Sequence, residues 1–354
     1  MIPTVPAYDA LKNYYGTVIQ KTSDLKTTAC CSDPSGGSAK LRALLDNIHG
    51  EILAKSYGCG SPLPDALEGC TVLDLGCGAG RDVYVAAQLV GPTGRVIGVD
   101  MTAEQLDVAR KHVRTQTKVF GFDTPNVDFR EGYMEDLAAI GVEDNSVDVV
   151  ISNCVLNLSP DKEAVFREIF RVLKPGGELF FADVFADRRV PAHLHSDPVL
   201  LGECLSGAMY KEDFRRLMTK VGFHDFRMLE ESAIELGSPE IEAKVGMVHF
   251  TSRTIRAFKI ERLEDICEDY GQVAIYRGSV DEHPHFLDLD DHHRFFTGKP
   301  MLVCGNTAAM IEDTRFAKHF TVSGDRSTHY GAFDCAPAAE KADGGGGCAG
   351  GACC

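Results

Sequence analysis

The segment Cys70-Thr71-Val72-Leu73-Asp74-Leu75-Gly76-Cys77-Gly78-Ala79-Gly80-Arg81 constrains this chain more than any other, because an apolar β-type run empties into a glycine loop and then a helical pattern. Gly76, Gly78 and Gly80 let the backbone turn sharply and approach a ligand closely, and the following helix aims its first N–H groups at the loop. The spacing is G-x-G-x-G, not the G-x-G-x-x-G of dinucleotide binders. Asp74 sits just inside the strand end. A second acid, Asp100, closes the next apolar run, Arg95-Val96-Ile97-Gly98-Val99, where a carboxylate can accept both hydroxyls of a ribose. A bare glycine loop is often an ordinary turn, but here strand, loop, helix, strand and acid follow in order.

The pattern continues. Helices are expected over Arg81–Val90 and Met101–Thr115, the second with Thr102 as N-cap, and a third strand over Asn126–Arg130. A fourth strand, Val147-Asp148-Val149-Val150-Ile151-Ser152-Asn153, precedes the turn Leu173-Lys174-Pro175-Gly176-Gly177 and the run Glu178-Leu179-Phe180-Phe181-Ala182-Asp183. Over residues 70–185 this order resembles the class I S-adenosylmethionine-dependent methyltransferases. The resemblance implies an α/β fold with a Rossmann-like sheet and helices on both faces, and S-adenosyl-L-methionine as methyl donor. It implies a cofactor-binding set of Asp74, Gly76, Cys77, Gly78, Gly80 and Arg81 on the loop, with Asp100, Met101 and Gln105 after the second strand. Met134 and Glu135, in Gly132-Tyr133-Met134-Glu135-Asp136-Leu137, fall where related enzymes hold the adenine, and Asn153 ends the fourth strand.

Charge narrows the acceptor. With 36 basic against 52 acidic residues the chain carries −16, which repels a phosphate backbone, so nucleic acid is excluded as a substrate and a small molecule is favoured. No apolar run approaches the roughly 20 residues of a membrane span, and the N-terminus lacks a basic segment followed by an apolar signal core. A cytoplasmic protein without a membrane partner is expected. Thirteen cysteines are many for such a chain, and without a secretory signal they read as thiols for metal, metalloid or redox chemistry rather than a disulfide framework.

The cysteines are scattered along the chain. A helix expected over residues 7–25 precedes Cys30-Cys31, which open a Ser/Gly/Pro loop; a second helix, Leu41 to Tyr57, runs into Gly58-Cys59-Gly60. No C-x-x-C spacing occurs there, so zinc-finger readings fail. The fourth strand leads into Cys154. In open α/β sheets that edge faces the ligand, although a lone cysteine is usually a small hydrophobe. Residues 190–210 read as an insertion carrying Gly202-Glu203-Cys204, and Lys211–Gly222 as an amphipathic helix. Phe226–Leu236 and Thr254–Ile260 read as strands that either close the sheet or form a small one over the site. His283, His285, Asp290, Asp291, His292 and His293 are taken as a surface and fold feature in preference to a metal site.

If Cys59, Cys154 and Cys204 converged above a sulfonium, three soft thiolates could hold trivalent arsenic, whose lone pair would attack the methyl in line without a general base. Each transfer would oxidise arsenic formally, and Cys30 could help return it to the trivalent state by forming a disulfide with a neighbour. Tyr15-Gly16, Thr28-Ala29-Cys30, Tyr57-Gly58-Cys59-Gly60, Ser152-Asn153-Cys154-Val155 and Gly202-Glu203-Cys204 together resemble the arsenite S-adenosylmethionine methyltransferases over residues 8–260. That resemblance implies Cys30, Cys59, Cys154 and Cys204 as catalytic cysteines and Cys59, Cys154 and Cys204 as ligands of trivalent arsenic. It implies arsenite and methylarsenite as substrates and a thiol reductant such as glutathione or thioredoxin, in a protein expected to act as a monomer. Leu289-Asp290-Asp291-His292-His293 and Val303-Cys304-Gly305-Asn306-Thr307 are similar to the C-terminal domain of algal and microbial members. Cys31 and the pair Cys353-Cys354 resemble cysteine pairs that capture arsenic, whereas the thiols of Cys70 and Cys77 match no motif and are left structural.

The domain reading is an N-terminal helix and cysteine loop (1–40), a cofactor-binding methyltransferase domain (41–190), a small α+β arsenite-binding domain (191–265), a C-terminal α+β domain (266–342) and a disordered Gly/Cys tail (343–354). Two other functions stay open at this level: a methyltransferase of another small molecule with incidental cysteines, and a thiol-rich metalloid sequestration protein that merely retains the fold.

Overall fold

The computed structural model describes Tyr8 and residues 39–56, 62–195 and 197–335. Cys30, Cys31, Cys59, the tail from Asp343 and, Tyr8 apart, the helix expected over 7–25 lie outside these residues. Five strands, β1 (Thr71–Leu75), β2 (Arg95–Asp100), β3 (Val127–Glu131), β4 (Val147–Asn153) and β5 (Leu173–Ala186), run parallel in the order β3-β2-β1-β4-β5. β6 (Met209–Tyr210) pairs with the end of β5. β7 (Phe226–Ala233) and β8 (Phe250–Phe258) then extend the sheet, β8 antiparallel to β5 and β7 antiparallel to β8. Of the two arrangements open for residues 226–260, the chain thus adopts the one that completes the main sheet.

Helices cover both faces, which explains why β1 and β4 are apolar almost throughout. Leu73 and Leu75 enter one buried layer with Ile97, Phe166 and Phe181, while Val72 enters the opposite layer with Val83, Tyr84 and Val96. The strand order reverses between β1 and β4, so the loops leaving those two strands open a crevice at the sheet's carboxyl edge. Among the described residues no helix is long and apolar enough to cross a membrane.

The helix Arg81–Val90 has the bounds expected of it. Others differ. The helix expected from Leu41 to Tyr57 is two, Ala39–Asp46 and Gly50–Ala54, because the His49 imidazole accepts the Glu51 N–H and caps a new start. The one expected over Met101–Thr115 is Ala103–Lys111 followed by Val113–Val119. Thr102 holds the N-cap position, but instead of its hydroxyl closing the turn its N–H donates to Asp100 at 2.8 Å.

The remaining strands are β9 (Glu268–Asp269), β10 (Gln272–Tyr276), β11 (Phe286–Asp288), β12 (Arg294–Phe296), β13 (Pro300–Val303), β14 (Phe320–Ser323) and β15 (Gly331–Ala332). β13-β10-β14 form an antiparallel sheet, β11 pairs with β12, and β15 with β9. This unit is joined to the main sheet by buried charge: Glu178 on β5 pairs with Arg256 on β8, and Arg315 lies 2.5 Å from the same carboxylate. Arg256 also donates to the Leu289 carbonyl at 2.6 Å and sits over the rings of Phe180, Phe258 and Phe316.

The acid and histidine stretch is less superficial than its composition implied. Asp290 and His293 are buried, with the His293 ring 2.8 Å from the carboxylate; both the His292 and His293 N–H groups and the Arg227 guanidinium converge on it. Burial pushes the Asp290 carboxyl up, but these partners prevail and hold it down at about 2. A carboxyl depressed in the folded state stabilises above its unfolded value of about 4 and loses that contribution as pH falls through about 2. Asp290→Asn is therefore expected to unfold about 2 kcal/mol more easily at pH 7, with the gap closing below pH 4, as read from denaturant midpoints across pH.

Candidate active site

The loops after β1, β2 and β4 enclose a cleft of about 1070 Å³, its open mouth included. Every residue of the expected cofactor set lines it except Gly80. Gly80 instead starts the helix Arg81–Val90 at φ 88°, where a Cβ would come within 3.0 Å of the Phe129 ring, so its role is to let helix and sheet approach. Asp100 fixes the shape of the loop: its carboxylate accepts the Gly78 N–H and the Thr102 N–H, each at 2.8 Å. Burial still pushes the Asp100 carboxyl up.

Asp82 was not singled out from the sequence, though an acid in the first turn after the loop was the available signal. It receives two hydrogen bonds from Arg81, at 2.9 and 3.0 Å, and one from the Asn153 amide at 3.0 Å. Burial and the neighbouring Asp82 push the Asp74 carboxyl well above its usual range. At the other end of the cleft Glu135 accepts from the hydroxyls of Tyr8 and Ser159, and the Tyr8 ring lies 5.2 Å from that of Tyr133. Two tyrosines beside a carboxylate offer an aromatic, hydrogen-bonding wall. Tyr8 belonged to a segment read only as a packing helix, and nothing local in the sequence placed it here.

Three carboxylates, Asp74, Asp82 and Asp100, thus face one cleft with the Arg81 guanidinium beside them. S-adenosylmethionine carries an ammonium, a sulfonium and a ribose diol, and this donor set fits it: buried acids short of positive charge, with a glycine loop at their side.

Cys154 lines the same cleft and Cys204 lies beneath it. Both have left-handed backbones, at φ 56° and 61°, which cost a residue with a Cβ about 1 kcal/mol or more. The Cys204 geometry can be traced. Asp197 caps the short helix Pro198–Gly202 through the N–H groups of Val199 and Leu200, and Glu203 ends it. The Cys204 N–H then donates to Leu201 and the Leu205 N–H to Leu200. That is a Schellman ending with cysteine in the left-handed position glycine normally takes. Cys154 follows β4 directly, its N–H donating to Ala182 on β5 at 2.8 Å. The Cys204 thiol donates to the Cys154 carbonyl at 2.9 Å, so the two turns are locked together in one buried cluster. Below them Asp183 accepts from the Asn157 amide and the N–H groups of Asn157 and Val184, and burial pushes its carboxyl up to about 7. Of the four expected catalytic cysteines the structure brings these two together; Cys30 and Cys59 lie outside the described residues.

Residues 66–222 match the model of a methyltransferase domain family, and residues 270–352 that of the arsenite methyltransferase C-terminal domain. The chain is 53% identical to an arsenite methyltransferase of Aquipseudomonas alcaligenes over 92% of this chain and 94% of that one. It is 42% identical to an arsenite methyltransferase of Rattus norvegicus, covering 88% of this chain and 83% of the other. The crystal structure of an arsenic(III) S-adenosylmethionine methyltransferase from Chlamydomonas reinhardtii superposes with a TM-score of 0.80 at 53% identity, over 83% of this chain and 98% of that one. With likeness of this degree along nearly the whole length of its relatives, the chain belongs to the arsenite methyltransferase family.

Proposed function

We propose that this S-adenosylmethionine-dependent arsenite methyltransferase presents trivalent arsenic to the methyl donor on the thiolates of Cys154 and Cys204, with Cys59 as third ligand. The observation that carries the reading is the pair of left-handed cysteines locked by the 2.9 Å bond, one of them on the wall of the carboxylate-lined cleft. Backbone strain at two cysteines beside a cofactor site is hard to account for by packing alone, since a glycine in either turn would cost less.

When bound, S-adenosylmethionine supplies an electrophilic methyl group on a sulfonium. The protein's part is placement. Asp100 and the glycine loop would hold the ribose end, Asp74 and Asp82 would face the cationic amino acid end, and Tyr133, Met134 and Glu135 would line the adenine end. The cysteines would fix arsenic with its lone pair toward the methyl carbon, so that transfer could balance with the carbon–sulfur bonding pair staying on the departing thioether. No proton is removed, so no general base is required.

Arsenic gains two units of formal oxidation in that step. Cys30 and a neighbouring thiol return the two electrons by closing a disulfide, which glutathione or thioredoxin reopens. Cys154 is disulfide-bonded in the structure, a state that must be reduced before it can ligate arsenic, and this favours a reductant requirement. We further propose methylarsenite as a second acceptor, giving mono-, di- and trimethylated arsenicals, and a cytoplasmic, monomeric enzyme.

The deciding experiment incubates the protein with arsenite, S-adenosylmethionine and a thiol reductant and separates the arsenic species by chromatography with mass detection. Methylated arsenic supports the reading; bound but unmethylated arsenite would mean sequestration. Asp100→Ala is expected to weaken S-adenosylmethionine binding by about 10- to 100-fold in calorimetry while leaving arsenite affinity unchanged, since it removes both the carboxylate that would accept the ribose hydroxyls and the anchor of the Gly78 and Thr102 N–H groups, and no thiol.

A further inference from the structure

Outside the cleft, three more thiols meet. Antiparallel pairing of β9 with β15 brings Cys267, just before β9, close to Cys335, just after β15, and the Phe333 N–H donates to the Cys267 carbonyl at 2.8 Å. The third, Cys304, caps the helix Gly305–Glu312, its sulfur accepting the Thr307 N–H at 3.4 Å. The three sulfurs lie within 4.8 Å of one another, and none is in a disulfide. Cys304 is buried and the other two are partly exposed, which leaves a way in from solvent. The separation of these cysteines along the chain hides them from any motif search.

The surroundings favour thiolate. The buried Arg227 guanidinium places one nitrogen 3.9 Å from the Cys304 sulfur and 4.0 Å from that of Cys267. Hydrogen bonds from Cys267 and Cys335, with Thr307 and Arg227, hold the Cys304 thiol well below its usual range, and in consequence Cys267 is pushed up to about 11.

We propose that Cys267, Cys304 and Cys335 form a second binding site for trivalent arsenic, separate from the methyl-transfer cleft. Arsenite would exchange its three hydroxyls for three sulfurs. Each arsenic–oxygen bond broken is replaced by an arsenic–sulfur bond, each thiol proton leaves with a hydroxyl as water, and nothing is oxidised or reduced. Soft-ion–thiolate bonds of about 2.3 Å require the sulfurs to close by about 1 Å, within the reach of side-chain torsions. Structural zinc asks for four ligands, whereas trivalent arsenic needs three and keeps its lone pair. Among the described residues no fourth cysteine, histidine or carboxylate joins this group. The site rests on its own geometry and would stand even if the methylation chemistry proposed above were wrong.

The test equilibrates reduced full-length protein with arsenite, removes unbound arsenic, and counts arsenic and zinc per chain by mass spectrometry. Cys304→Ser and Cys335→Ser are each expected to bind one equivalent of arsenic less than the wild type, with methylation rate and S-adenosylmethionine affinity unchanged. Equal arsenic in wild type and both variants would overturn the site. So would an equivalent of zinc that is present in the wild type, resists arsenite, and is lost in the variants. Cys335 is partly exposed, so its variant carries the test should serine at buried position 304 prevent folding.

Discussion

Cys204→Ser is expected to lower kcat/KM for arsenite by about two orders of magnitude or more, while calorimetry still finds S-adenosylmethionine bound as in the wild type. Serine keeps the size and the donor to the Cys154 carbonyl but not the soft ligand, so the turn survives and the acceptor loses its seat. Cys154→Ser should behave the same way in turnover. A glycine at 204 sharpens the test, because it relieves roughly 1 kcal/mol of left-handed strain while giving up a buried sulfur. Cys204→Gly is therefore expected to fold with stability within about 1 kcal/mol of the wild type and to be as inactive as the serine variant. Full turnover in any of these variants would remove the thiolate reading.

The largest stability effect is expected at Glu178. Its carboxylate lies fully buried between Arg256 and Arg315, and Glu178→Ala would leave Arg256, itself 1% exposed, without its counter-charge. Breaking a buried pair in this way costs about 3–5 kcal/mol, because the remaining charge has neither water nor partner. Denaturant midpoints should show this loss, with Glu178→Gln milder since the amide still accepts one hydrogen bond. A loss below about 1 kcal/mol would mean that water reaches the pair and that the two sheets are joined by their apolar contacts alone.

What could be read in the sequence follows from where each signal resides. β1, its loop, the helix Arg81–Val90 and Asp100 are local patterns, a buried strand, positive-φ glycines and an acid at a strand end, and they form where they were expected, with Asp74, Gly76, Gly78, Arg81 and Asp100 on the wall of the cleft and Gly80 behind it. The break at His49 was invisible because it depends on a side-chain cap competing with an unbroken apolar period. Tyr8 reaches Glu135 across 127 residues, and Arg256 crosses from β8 to Leu289, so neither role has a local signature. Cys204 was found by resemblance, yet its left-handed turn was not. A Schellman ending is announced by glycine, and here the glycine at 202 lies inside the helix while cysteine takes the turn.

The side chain of Val155 stands directly over Gly76. A Cβ at that position would lie 2.3 Å from the side chain of Val155, the residue immediately after Cys154. The glycine loop after β1 and the turn that carries Cys154 are therefore one packed body, and neither can shift alone. Occupancy of one site should be felt at the other by the same factor in both directions, so arsenite and S-adenosylmethionine would each alter the other's dissociation constant equally. Enlarging the contact with Val155→Ile, or loosening it with Val155→Ala, would tune that mutual dependence without touching a single group that binds either ligand through a polar bond.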